Sequence, residues 1–219
     1  MVIIKLQSLI ISIFLSLISL SFCTYGSPPA NSPTTLQPPT TIIQSPEAGA
    51  SGNLTIQFDY TKQSGSASNQ FAVWIEDANH NYVKTLYATR YTANGGYKNR
   101  PDSLREWVAK SGLADMKNTE VDAISGATPA AGTLTYTWDL TGADGAPVPS
   151  GLYIFIVEGT LRWKNQVIYT GAIEAGGIAA DITPEPIYAY EGSGNQPALS
   201  SDSIENNMIS NVSAHYEPS

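Results

Sequence analysis

Cysteine is nearly missing from this chain, and its scarcity excludes a good deal. Cys23 is the only one in 219 residues, so no internal disulfide can form and no cysteine-held zinc or iron–sulfur site can be built. Histidine occurs twice, too rarely to give a metal-ligand spacing, and no nucleophile–base pairing is legible. Basic residues are few: 11 Lys and Arg stand against 19 Asp and Glu, for a formal net charge of −8. That balance argues against nucleic acid as a partner. After residue 23 there is no apolar run long enough to cross a bilayer as a helix.

What is present begins with a targeting segment. Residues 1–23 carry one charge, Lys5, then an apolar core and small polar residues ending at Cys23. This is the layout of a secretory signal; the alternative is a short uncleaved anchor, and either places the remainder outside the cytoplasm. Residues 24–52 are rich in proline, serine and threonine and almost uncharged. Such a stretch lacks the apolar surface to offset its ordering entropy. It reads as a tether reaching at most about 80 Å at ~3.1 Å per residue.

From residue 53 the pattern becomes one of short alternating runs. Leu54–Phe58, Phe71–Glu76, Tyr82–Tyr87, Thr133–Leu140, Leu152–Glu158 and Gln166–Ile173 read as strands. Asp77–Asn81 is turn-forming, so the second and third read as a hairpin. Strands of this length, punctuated by glycine and proline, predict an all-β sandwich with a short helical insertion. The insertion, residues 88–132, holds one expected helix over Asp102–Gly112. Asp102 or Ser103 would cap it, and Leu104, Trp107 and Val108 would share a face. The tail, residues 176–219, reads as mostly irregular, with Met208–Tyr216 as a candidate last strand and His215 as a surface histidine.

Three stretches resemble known families. Trp138–Tyr153, with a Trp-Asp strand, a glycine turn and a Pro-Ser-Gly-x-Tyr strand start, resembles the closing hairpin of FlgD-type immunoglobulin-like domains, which implies an immunoglobulin-like sandwich. Cys23, after Phe22 rather than a small residue, resembles a bacterial lipoprotein acylation site, with an incidental cysteine as the alternative. Within the insertion, Asp122-Ala-Ile-Ser125-Gly126-Ala127-Thr128 resembles the acceptor motif of flavinylated bacterial proteins. There a flavin transferase of the ApbE type joins FMN, as a phosphoester, to the final threonine. The resemblance implies covalent FMN on Thr128, with Asp122, Ser125, Gly126 and Ala127 as the accompanying cofactor-site residues.

The residue types suit that chemistry. Gly126 and Ala127 leave no bulk beside the acceptor, and Pro129 biases Thr128 toward an extended conformation. Asp122 could orient the acceptor or help hold a metal. The alternative is one helical turn over residues 118–126 that Gly126 ends; the two readings are compatible. Trp107, Trp163, Tyr91 and Tyr97 could stack on a flavin or simply pack. Arg90, Lys98, Arg100 and Arg105 could receive its phosphate or form a solvated basic face.

More widely, residues 54–173 are similar to an exported bacterial family of predicted periplasmic proteins, the domain of unknown function 2271. Thr85–Tyr91, Trp138–Leu140 and Gly159–Lys164 carry the similarity. That family is associated with PepSY-type membrane reductases, which implies a redox partner in the membrane. The expectation is therefore an extracytosolic electron-transfer domain, a redox carrier rather than a stand-alone enzyme, touching the membrane only by its N-terminal anchor. The alternative is a non-catalytic surface module without cofactor.

Overall fold

The computed structural model describes residues 49–64 and 69–219. The export segment, Cys23 and nearly all of the expected tether lie outside the described residues. Four elements open the domain: strands β1 (Gly52–Tyr60), β2 (Gln70–Asp77) and β3 (Tyr82–Thr89), then helix α1 (Arg90–Ala93). The insertion continues with helices α2 (Arg105–Ser111) and α3 (Asn118–Ile124) and a two-residue strand β4 (Ser125–Gly126). Then come β5 (Gly132–Trp138), β6 (Gly151–Thr160), β7 (Gln166–Ala175), β8 (Ala180–Ile182), β9 (Pro186–Ala189) and β10 (Ile209–Pro218).

The strands form two sheets, one ordered β5-β1-β10-β8 and the other β4-β3-β2-β6-β7-β9. The fold is an all-β sandwich. Strand β1 shows why. Its alternation buries Leu54, Ile56, Phe58 and Tyr60 and turns Asn53 and Gln57 outward, the period-2 signature of a half-buried strand. The central strands of the larger sheet behave differently. In β2, Phe71, Val73 and Ile75 enter the core between the sheets, while Ala72 and Trp74 belong to a second apolar cluster with Leu104, Trp107 and Val121. The insertion thus roofs the outer face of the larger sheet, and β2 and β6 are buried on both faces.

Three expectations need correction. The Trp138–Tyr153 segment is not a hairpin: β5 pairs with β1 and β6 with β2 and β7, in opposite sheets. The Trp138 and Tyr153 rings meet across the core at 5.1 Å. The candidate last strand is present as β10, which lies between β1 and β8 and supplies buried Ile209, Val212, Ala214 and Tyr216. The insertion holds three α-helices and two short 3-10 turns, not one helix. Finally, α2 begins at Arg105, after Leu104 in the left-handed region at φ 51°. Ser103 does not cap it; its buried hydroxyl meets Thr92 Oγ1 at 2.7 Å. Gly112, at φ 66°, stops the helix where the sequence places a stop.

Candidate functional site

Strand β4 is the last strand on one edge of the larger sheet, and it is short. It runs parallel to β3, with Ala88 opposite Ser125 and Thr89 opposite Gly126. From there the chain crosses through residues 127–131 to β5, which belongs to the other sheet. The proposed acceptor motif therefore lies where the chain passes over the open edge of the sandwich. Thr128 sits in that irregular crossover, partly exposed, and Ala127 is exposed. The helical alternative holds in part: α3 spans Asn118–Ile124, with the Lys117 backbone N–H donating to Glu120 Oε2 at 2.7 Å. Gly126 does not end it as a left-handed cap; it is a strand residue.

Tyr87 anchors the crossover. Its hydroxyl donates to the Ala127 carbonyl at 2.6 Å. Its ring lies so close to Gly126 that a Cβ there would fall 2.7 Å from Tyr87 Cε2. The glycine is thus required by a close approach, not by its backbone angle. Below, the Tyr87 ring stacks on Phe71 at 5.2 Å and meets Tyr136 at 5.1 Å. Burial pushes the Tyr87 hydroxyl above its ordinary pKa, and the Arg90 cation pulls in the opposite direction. Ser125 Oγ is buried and has no hydrogen-bond partner among the described residues. A buried hydroxyl left unsatisfied is costly, and packing alone does not call for it. The residues present fit a phosphoester of Thr128 in two respects: the threonine is partly exposed and its approach is lined by small residues.

The other sequence candidates scatter. Asp122 is exposed on α3 and lines a groove of about 500 Å³ with Tyr97, Lys98 and Asn118, a lining that does not include Thr128. Trp107 is fully buried, with Nε1 donating to Thr85 Oγ1 at 2.9 Å; it is a core residue rather than a stacking platform. Tyr91 is half exposed and packs against Gly96. Trp163, at φ 57°, sits in the β6–β7 turn. Among the basic residues, Lys98 lies over the Tyr97 ring, Arg100 reaches the Trp163 carbonyl, and Arg105 pairs with Glu106 and Glu191. Arg90 is exposed and forms no ion pair among the described residues. Sequence reasoning missed Tyr87 as a site residue, since nothing local links it to a loop forty positions on.

Residues 52–182, more than half of the chain, match the family described as predicted periplasmic protein (DUF2271). The chain belongs to this family. Membership places it outside the cytoplasm, and no described helix is long and apolar enough to cross a membrane. No curated protein and no solved structure matches the chain. The DUF2271 span runs from β1 through β8 and includes the crossover, but stops short of β10. Among the described residues, no cluster of three or more His, Cys, Asp or Glu side chains could hold a metal ion. His215 faces Asp181 at 2.6 Å and Glu217 at 3.3 Å, acids that raise its pKa.

Proposed function

We propose that this DUF2271 protein is an extracytosolic electron carrier holding FMN covalently on Thr128, and that it is a carrier rather than a stand-alone enzyme. The observation that carries the reading is the placement of the motif. Thr128 lies on a partly exposed crossover at the sandwich edge, beside a glycine that must stay small and a serine hydroxyl without a partner. A transferase needs such reach, since phosphoryl transfer depends on positioning the nucleophile in line with the bond that breaks.

In that loading step Thr128 Oγ1 bonds to the phosphorus of the FMN half of FAD. The pyrophosphate bond breaks, AMP leaves, and the threonine proton passes to solvent base. When bound, the flavin supplies the redox chemistry, and the protein contributes attachment and surroundings. The natural partners are an ApbE-type flavin transferase and a PepSY-type membrane reductase or another redox protein. Asp122, exposed on α3, would orient the acceptor or help hold a metal.

The test is intact mass after co-expression with an ApbE-type transferase. Wild type should gain FMN less one water, mapped to the peptide containing Thr128. Thr128→Ala should gain nothing at an unchanged melting temperature, and Thr128→Ser should keep at least partial modification. An unmodified wild type, with the transferase active on another substrate, would overturn the proposal. A second reading, a surface module without cofactor, draws on Tyr91, an aromatic side chain at 50% exposure. A colourless protein after co-expression would favour it.

A further inference from the structure

Two parallel strands leave the larger sheet side by side at the crossover. The register pairs Ala88 with Ser125 and Thr89 with Gly126. The next residues in each chain are Arg90, which opens α1, and Ala127, which precedes the acceptor. Because the strands are parallel, both chains emerge in the same direction, and Arg90 stands beside the segment that carries Thr128.

We infer that Arg90 is the positioning residue for the phosphodiester on Thr128, its guanidinium gripping the two non-bridging oxygens. This rests on the reading of Thr128 as the flavin acceptor. A phosphodiester carries one negative charge and two free oxygens, which a planar guanidinium fork matches. Of the four cations considered, Arg90 and Lys98 form no ion pair among the described residues, whereas Arg105 pairs with Glu106 and Glu191 and Arg100 reaches the Trp163 carbonyl. Lys98 lies over the Tyr97 ring and lines the Asp122 groove, whose lining does not include Thr128, which leaves Arg90 as the free cation next to the crossover. The influence of the Arg90 cation on the Tyr87 hydroxyl, which itself holds Ala127, agrees with that location. The grip would restrain the first bonds of the flavin arm and hold the cofactor near the sandwich edge.

The experiment loads purified wild type, Arg90→Gln, Arg90→Lys and Lys98→Gln with transferase, FAD and magnesium. Intact mass follows loading, and phosphorus-31 NMR is recorded on the fully loaded proteins. Arg90→Gln should load about tenfold more slowly at low salt, the scale of one charge-assisted contact. Its phosphorus resonance should differ from wild type. Arg90→Lys should fall between, Lys98→Gln should match wild type, and added salt should narrow the gap. Loaded wild type and Arg90→Gln with the same resonance would overturn the inference while leaving Thr128 as acceptor. So would an equal change in Lys98→Gln. A wild type that gains no mass overturns both readings.

Discussion

Gly126 and Tyr87 compete for one volume. A methyl on Gly126 would meet the far end of the Tyr87 ring at 2.7 Å, and that end is also tied to the Ala127 carbonyl. Gly126→Ala should therefore push the ring aside, break the hydrogen bond and cost about 1–2 kcal/mol by overpacking. Tyr87→Ala removes the obstacle, so Gly126→Ala made in that background should cost close to nothing. Chemical denaturation of the four proteins of this cycle checks the coupling; additive losses would mean that Gly126 is not under the ring. The Asp122–Thr128 segment was legible as a candidate because its residues are consecutive. Tyr87 was not, because a contact across forty positions leaves no local trace.

At the scale of elements, α2 shows how a helix takes its start from outside its own sequence. Its first backbone N–H groups are satisfied by the sheet beneath. Leu104 N donates to Thr160 Oγ1 at 2.8 Å, Trp107 N to Glu158 Oε2 at 2.8 Å and Glu106 N to Glu158 Oε1 at 3.3 Å. Asp102 or Ser103 was expected as the cap, but neither bonds the helix start, and the cap that forms is a carboxylate some fifty positions away on β6. Burial of Glu158 raises its pKa to about 7 from 4.5, with the two amides opposing. A raised carboxyl pKa means the folded state holds its proton longer than the unfolded chain. The resulting stability is full below about pH 4.5 and is lost as pH rises toward 7. Glu158→Gln cannot titrate. Unfolding free energies from chemical denaturation between pH 4.5 and 7.5 should therefore fall more steeply in wild type than in the variant, by an amount on the order of 3 kcal/mol at most. Parallel curves would mean that Glu158 stays charged.

Across the whole molecule, the two sheets are closed by the end of the chain. Strand β10 pairs with β1 from Gly52 opposite Pro218 to Tyr60 opposite Ile209, and with β8 on its other side. It accommodates a register shift where Asn211 turns to φ 53° and bonds Asp59 at 2.8 Å. Without it β1 would lose one neighbour, and the core would lose Ile209, Val212, Ala214 and Tyr216. A chain ending at Met208 should show no cooperative thermal unfolding by circular dichroism, although it retains the whole DUF2271 match. Cooperative melting near the wild-type temperature would show that the sandwich closes without β10.

The sequence by itself determined the all-β class, the six principal strands, the β2–β3 hairpin and the stop of α2 at Gly112. Each is written in residues close together, through alternation or turn formers. Only the tertiary structure decided that β5 and β6 part into opposite sheets and that the insertion roofs the larger sheet. It also decided that Glu158 caps α2 and that Tyr87 and Arg90 flank the crossover before Thr128. The physical reason is common to these. Partners far apart in sequence are chosen by which surfaces remain to be covered and which polar groups remain to be satisfied once the strands have paired.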